Sequence, residues 1–300
     1  MRRRWLVMAA LAAISLSGAQ ALPSPQKIAE LRARTPQFEV KVARAFLKVQ
    51  KQNPGVAPGL LRHLLTDLGE EPWQALVDVH KDIRQRYPDF DHELAMLLRR
   101  PEEPPAPGLR SWVLTRLAQQ PELPPRPLAL IRSQHPKLLL GLALAASRLV
   151  DENYPDLPQR WLERDAHMGP AAFLLDNYPD LIPQLVASLS QEQRSEARQA
   201  LLEILQQRED WARRQPAGRL GEEFEAMLSQ FPGLPQRWSE RSERRQQLHQ
   251  KFPDLREVIQ DSLRSRHPDL VPRALASLRQ HSPNLREQVK EAFRESLGPI

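Results

Sequence analysis

The chain has 300 residues, of which 41% are hydrophobic and 27% charged, so it holds enough apolar material for one or two domains with a sizeable core. Cysteine is absent, which excludes disulfides, a thiol nucleophile and lipid attachment through cysteine. Aromatic residues make up only 6%, whereas helix formers are abundant and the 29 prolines are about twice the usual share, so the composition predicts an all-α protein with helices ended by proline.

The first 21 residues have the three parts of a bacterial secretory signal. A basic segment (2–4) precedes an apolar stretch (5–16), and AQA at 19–21 fits cleavage after Ala21. The apolar stretch is shorter than the about 20 residues that span a membrane, so we expect a cleaved signal rather than an anchor. RRRWL also fits a twin-arginine signal, and the export route stays open. The mature protein is therefore predicted to be soluble, in the periplasm or outside the cell, with a net charge of +3 instead of +6.

The predicted N-terminal helical region covers residues 22–100, and its most distinctive element is a basic amphipathic helix at 36–52. Four basic residues follow at steps of three or four and form one stripe on this helix: Lys41, Arg44, Lys48 and Lys51. Such a helix can bind an acidic partner or an anionic membrane surface, so these are the candidate binding residues. The ordinary alternative is a surface helix that docks through its apolar side and leaves its basic side in water.

The segment DFDHE at 89–93 groups three carboxylates with His92, and such side chains are common metal ligands. The same segment opens a predicted helix, where the helix dipole favours Asp and Glu. We prefer the helix start, because consecutive residues rarely all face inward. No metal site and no cofactor is therefore predicted.

A proline-rich linker, PEEPPAPG at 101–108, separates the N-terminal region from a predicted helical repeat region at 109–300. This second region contains the apolar run LLLGLALAA at 138–146, which is too short to span a membrane and is apolar on all sides. We therefore expect a central, buried helix at this place in the chain.

One short motif recurs along the chain: NYPDL stands at 153–157 and again at 177–181, with near-copies at 86–90, 230–234, 251–255 and 266–270. The residue before proline is pushed out of helical dihedrals, and the Asp or Asn after it is a preferred N-cap. The motif thus predicts the end of one helix, a turn and the start of the next. The predicted caps are Asp156, Asp180, Asp254, Asp269 and Asn284. Glu257 and Glu287 would complete capping boxes with the caps three residues before them.

The segment LSQEQ at 189–193 places Ser190 three residues before Gln193, which predicts a capping box and a long helix to about residue 213. This segment resembles the L-[ST]-x-x-Q segment of Spy/CpxP-type periplasmic chaperones, through Leu189, Ser190 and Gln193. The resemblance implies chaperone-like binding; members of that family are cradle-shaped helical dimers with two such segments, and this chain contains one.

The region 252–296 consists of three consecutive units of fifteen residues. Their positions four, eight and twelve are apolar and lie on one face of a helix. Position eleven is small in each unit (Ser262, Ser277 and Ala292), which predicts the close approach of a neighbouring helix. The sequence thus predicts an irregular array of short antiparallel helices with Pro-Asp turns, either an α-solenoid-like stack or a multi-helix bundle.

The predicted helices are 25–33, 36–52, 57–68, 72–86, 91–99, 109–119, 126–134, 137–150, 157–164, 169–176, 181–189, 190–213, 218–229, 235–249, 255–265, 270–280 and 285–296.

The chain lacks the HExxH, GxSxG, P-loop and GxGxxG motifs, so no catalytic residue is predicted and an enzyme is not expected. The leading interpretation is an exported helical scaffold that binds a protein, a peptide or an envelope component. A periplasmic chaperone or stress protein is the second interpretation, and a cell-envelope enzyme with an unrecognised acidic site is the third. Nucleic acid is not an expected partner of an exported chain with this mild charge, and the oligomeric state stays open.

Overall fold

A computed structural model describes residues 25–99, 108–119, 126–165 and 168–298. The predicted signal peptide (1–21) and all of the predicted linker except Gly108 lie outside the described residues. Within the described ranges the protein consists of seventeen α-helices without a β-strand, which confirms the all-α prediction.

The helices are α1 (Pro25–Arg34), α2 (Phe38–Gln52), α3 (Val56–Leu68), α4 (Glu71–Arg86), α5 (Phe90–Leu98), α6 (Leu109–Ala118), α7 (Pro127–Gln134), α8 (Pro136–Asn153), α9 (Leu157–Glu163), α10 (Pro170–Asn177), α11 (Leu181–Ser188), α12 (Gln191–Arg214), α13 (Arg219–Gln230), α14 (Leu234–Lys251), α15 (Leu255–Arg266), α16 (Leu270–His281) and α17 (Leu285–Leu297). Each corresponds to one predicted helix, and the observed and predicted ends agree within three residues.

The N-terminal helices α2 to α5 pack against the C-terminal helices in reverse chain order. Helix α17 lies on α2, α16 on α3 and α15 on α4, and α14 contacts both α5 and α2. The three fifteen-residue units therefore contact α4, α3 and α2 more extensively than they contact one another. This long-range pairing differs from a solenoid, in which each repeat packs mainly on its neighbours.

A second set of helices contacts the same N-terminal helices, again in reverse order: α13 on α2, α12 on α3 and α10 on α5. Helix α3 uses different faces for its two partners, because Asp67 accepts a hydrogen bond from Ser277 of α16 whereas Arg62 donates to Glu209 of α12. Helices α7 and α8 pack on α12, and α11 packs on α8. The pair α7 and α8 is therefore joined to the rest of the molecule mainly through α12 and α11.

Clusters of buried apolar side chains connect the N-terminal helices to the C-terminal ones. They contain Leu68, Ala75, Leu263 and Leu270; Ile83, Phe90, Phe252 and Leu255; and Ala45, Val49 and Ala292. Each buried leucine or phenylalanine contributes about 1.5–3 kcal/mol relative to an exposed one. The small residues at position eleven of the repeated units (Ser262, Ser277 and Ala292) are all buried, as their size predicts.

Each of the Pro-Asp joints is a tight turn of four residues. At the first NYPDL copy, the carbonyl of Tyr154 accepts a hydrogen bond from the N–H of Leu157 at 3.0 Å, and Asp156 has φ −82° and ψ −13°. This bond and these dihedrals belong to a type I turn, whose second position, held here by Pro155, favours proline. The same bond, at 3.0–3.2 Å, opens α5, α11, α14, α15, α16 and α17.

The predicted caps occupy the N-cap position but do not form the expected side-chain hydrogen bonds. They are Asp156, Asp180, Asp254, Asp269 and Asn284. The capping boxes expected with Glu257 and Glu287 are absent as well. A capping side chain reaches the first-turn N–H groups from an extended backbone, whereas the type I turn holds these residues at φ between −82° and −93° and ψ near zero. In each turn the carbonyl before proline accepts the N–H of the first helical residue, and the side chain of the predicted cap accepts none of the N–H groups that follow.

The capping box predicted for α12 is confirmed. Ser190 has the extended dihedrals that capping requires, φ −62° and ψ 162°. Its hydroxyl accepts the N–H of Gln193 at 3.2 Å, and the Gln193 side chain accepts the N–H of Ser190 at 2.9 Å. Leu189 rather than proline stands directly before Ser190, so no Pro-Asp type turn competes with the capping geometry.

Candidate functional site

Two of the four basic residues in the stripe of α2 form ion pairs within the molecule, and the other two do not. Arg44 donates two hydrogen bonds of 2.8 Å to the carboxylate of Glu225 on α13, which raises the pKa of Arg44 and lowers that of Glu225. Lys48 forms an ion pair with Glu295 on α17. Among the described residues, Lys41 and Lys51 have no ion pair.

The apolar side of α2 is docked on α17. Ala45 and Val49 are buried against Ala292, and the rings of Phe46 and Phe293 meet edge to face at 5.4 Å. Helix α2 therefore has the ordinary arrangement of a surface helix. The structure does not bring its four basic residues together as one open site.

The DFDHE segment sends its side chains to different neighbours. Asp91 is 4% exposed and lies between His80, at 2.7 Å, and Arg84, at 2.9 Å, both on α4. His92 pairs with Asp176 on α10, and Glu93 pairs with Lys251 on α14. These side chains tie α5 to three helices, and no group of metal-ligating residues is found in the described part of the chain.

The apolar run at 138–146 is not a central helix, so that prediction is wrong. Leu138 is 2% exposed, but Leu140 is 63% and Leu144 53% exposed. Helix α8 packs on α7, α11 and α12 on one side only, and its other side faces solvent. Because the run is apolar on all sides, the sequence pattern could not show which side would be left open.

Exposed large apolar side chains are concentrated in the middle of the chain, from α6 to α11. They are Val113, Leu114, Leu128, Leu140, Leu144, Leu162, Ile182 and Val186. Helices α4 and α5 add Trp73, Leu76 and Met96, whereas the described residues of α12 to α17 contribute none. Five of these side chains lie on α7, α8 and α11, and α8 contacts both of the other two helices. Exposed apolar area that is contiguous marks an interaction site more often than scattered single residues do.

One face of α8 combines two of these leucines with basic residues. Lys137, Leu140, Leu144 and Arg148 follow at steps of three or four, so they form one stripe, here called the α8 face. All four side chains are exposed, and the stripe is about 17 Å long at 1.5 Å per residue. Among the described residues, neither Lys137 nor Arg148 has a carboxylate partner.

A groove with a volume of about 330 Å³ adjoins the α8 face. It is lined by Gly141, Leu144, Ala145, Arg148, Leu149, Glu152, Ser188 and Gln193. A Cβ atom at Gly141 would lie 2.6 Å from Nε2 of Gln193, so glycine allows the start of α12 to approach α8 this closely. The capping box fixes Gln193 there, which gives the LSQEQ segment a structural role at the groove.

The stretch that contains this face carries mainly positive charge. Residues 108–150 contain one acidic residue, Glu122, which lies outside the described residues, and six basic ones: Arg110, Arg116, Arg126, Arg132, Lys137 and Arg148. The sequence pattern alone does not show that these leucines are exposed beside Lys137 and Arg148. The signal was present as an apolar run with a basic residue at each end.

None of the described helices has the length and apolar character needed to cross a membrane. No protein-family model matches the chain, and no curated protein or solved structure is significantly similar to it.

Proposed function

We propose that the protein is an exported, non-catalytic helical scaffold that binds a protein, a peptide or another envelope component. The observation that carries this proposal is the concentration of exposed large apolar side chains on α6 to α11. Leaving such side chains in water forgoes the stabilisation that burial would bring, so a covering partner accounts for them. The proposal places the binding surface in the middle segment.

The rest of the molecule acts as the support in this proposal. Helices α2 to α5 are backed by α14 to α17 on one set of contacts and by α10, α12 and α13 on another. The repeated units of 252–296 serve as a regular backing for the N-terminal helices, with Pro-Asp turns setting the short spacing between them.

The basic stripe of α2 is at most a secondary contact. Arg44 and Lys48 are engaged with Glu225 and Glu295, so an acidic partner or an anionic membrane surface would meet Lys41 and Lys51 first.

Site-specific photo-crosslinking in the envelope of the producing cell tests the proposal. A photoreactive residue placed at Leu114, Leu140 or Leu162 is expected to capture a discrete partner. The same residue at Arg256 or Lys290, both exposed on α15 and α17, serves as the control. Equal capture from the control positions, or no capture from the three leucine positions, would contradict the proposal.

A periplasmic chaperone is the second candidate, because exposed leucines on several helices suit the capture of unfolded clients. Suppression of the aggregation of several unrelated clients would favour it over a single partner. The enzyme alternative gains no support from the groove, where Glu152 is the one acidic side chain among the described lining residues. Glycoside hydrolysis uses a pair of carboxylates.

A further inference from the structure

We propose that the α8 face and its groove bind a short segment of another protein that presents two apolar side chains about one helical turn apart with carboxylates on either side. This inference rests on the proposed function and names the chemistry of the partner.

The apolar part of the segment is defined by Leu140 and Leu144. Both side chains are more than half exposed, and they are four residues apart, so they form a continuous apolar strip on α8. Leu144 also lines the groove, together with Ala145 and Leu149. An apolar side chain of the partner that enters the groove would therefore contact three apolar residues.

The charge of the segment follows from the ends of the α8 face. Lys137 and Arg148 stand beyond the leucines at opposite ends, and both are exposed without a carboxylate partner in the described part of the chain. Arg132 of α7 is exposed and is also without a described acidic partner. Carboxylates on a partner would be attracted to both ends, which fixes the register of the leucine contacts.

The shape of the groove and the acidic residues beyond Arg148 favour a peptide over a membrane. A groove of about 330 Å³ can receive a side chain, whereas a lipid surface requires a convex or flat face. Asp151 and Glu152 are exposed about one turn beyond Arg148, at the C-terminal end of α8. A broad anionic surface would meet both of them together with Arg148, whereas a short segment can place one carboxylate at Arg148 and end before them.

The two acidic residues follow Arg148 by three and four positions, so the cationic part of the face ends there. A partner segment that extended past this point would gain nothing from further carboxylates. The favoured occupant is therefore short, and its charged residues lie level with Lys137 and Arg148.

Fluorescence anisotropy with a labelled synthetic peptide tests the inference on the purified full chain. The probe is a 16-residue helix-forming peptide with two leucines four residues apart and glutamates on both sides. Matched probes carry lysine in place of glutamate, or serine in place of leucine. We expect saturable binding of the acidic leucine peptide, and binding about tenfold or more weaker for each matched probe.

Variants of the chain locate the site. L140S/L144S and K137E/R148E are each expected to weaken binding of the acidic peptide about tenfold or more. Leu76→Ser removes a leucine on α4 that is as exposed as Leu140, and R256E/K290E reverses two exposed cations on α15 and α17; neither is expected to change binding more than about twofold. Thermal unfolding of each variant, followed by circular dichroism, verifies that it is folded.

Three results would overturn the inference: no binding of the acidic peptide, equal binding of the lysine probe, or unchanged binding by L140S/L144S. Preferential binding of the chain to vesicles of phosphatidylglycerol and phosphatidylcholine, lost in K137E/R148E, would assign the face to a membrane and also overturn it. If a partner is still crosslinked through Leu114 or Leu162 in any of these cases, the proposed function stands and only the chemistry assigned to its partner fails.

Discussion

Gly59 on α3 lies directly against the carboxylate of Glu209 on α12: a Cβ atom at Gly59 would come within 2.9 Å of Oε1. Glu209 is 2% exposed and forms ion pairs with Arg62 at 3.0 Å and Arg213 at 2.5 Å. The absence of a side chain at Gly59 thus makes room for a buried, doubly paired carboxylate. Helices α7 and α8 also pack on α12, so the contact between Gly59 and Glu209 helps to position helices of the proposed binding surface.

Replacing Gly59 by alanine is expected to lower the free energy of unfolding by about 1–3 kcal/mol, because the new methyl group overlaps the Glu209 carboxylate. Gly221 on α13 is the matched control, since nothing lies within 4 Å of a Cβ atom there. Gly221→Ala is expected to raise stability by about 0.5 kcal/mol through helix propensity. Urea unfolding of both variants measures whether the free energy of unfolding falls or rises. The same change in both variants would contradict the close contact between Gly59 and Glu209.

The second prediction compares the stability lost when two N-cap residues, Ser190 and Asp254, are replaced by alanine. Ser190→Ala removes the hydroxyl that accepts the N–H of Gln193, while the backbone N–H of residue 190 can still donate to the Gln193 side chain, and the substitution is expected to cost about 1 kcal/mol. Asp254→Ala is expected to cost less than about 0.5 kcal/mol, since its side chain makes no capping bond and its one ion pair, with Arg86, is exposed at 3.9 Å. Thermal unfolding of both variants compares their losses of stability. A larger loss of stability for Asp254→Ala than for Ser190→Ala would indicate that side chains do cap the helices at the Pro-Asp joints.

The basic stripe of α2 gives a third prediction. Arg44→Glu would place a carboxylate against Glu225, so it is expected to lower stability by about 1 kcal/mol, a modest value because both side chains are half exposed. Lys41→Glu should leave stability nearly unchanged, because Lys41 has no ion pair among the described residues. Chemical denaturation in low and high salt checks this, since the effect of Arg44→Glu should shrink with salt. Identical unfolding curves for the two variants would contradict the assigned pairing.

Protonation of His63 is expected to lower stability below pH 6.5, chiefly because this side chain is partly buried. The rings of His63 on α3 and His281 on α16 lie 3.6 Å apart with planes at 10°. Burial, His281 and Arg62 lower the pKa of His63 below its ordinary value of 6.5, against the opposing effect of Glu209 and Asp67. Since the folded pKa is the lower one, the unfolded chain binds more protons as the pH falls through 6.5, and folding is disfavoured.

Urea unfolding of the wild type and of His63→Gln at pH 7.5 and 5.5 isolates this contribution. The wild type should lose more stability on acidification than the variant, because the variant has no imidazole to protonate at position 63. If both lose the same amount, the stacked pair has no part in the acid sensitivity of the protein.

The local structure was largely predictable from the sequence. Proline after Tyr154 or Tyr178 ends a helix through backbone sterics, and three small residues at position eleven mark close helix contacts, because both rules act within a few residues. The exception is the N-cap residue of each Pro-Asp joint, such as Asp254, whose side chain does not form the predicted capping bond. The type I turn and side-chain capping require different backbone dihedrals at this residue, and the structure has those of the turn.

The proposed binding surface was not predictable in the same way. A hydrophobic pattern shows which side of a helix is buried, but it does not show which other helix covers that side. The pairing of α2–α5 with the C-terminal helices could therefore not be read from the sequence. The groove requires Gly141 to meet Gln193 across a separation of 52 residues. Leu140 and Leu144 became candidates only when the structure showed that no described helix covers them.

Hydrogen–deuterium exchange of the full chain, with and without the acidic leucine peptide, shows directly whether α8 binds such a segment. Slower exchange is expected in α8 and at the start of α12, where Gln193 borders the groove, with no change in α2 or in α15 to α17. Slower exchange in α2, or unchanged exchange in α8 at saturating peptide, would contradict this expectation.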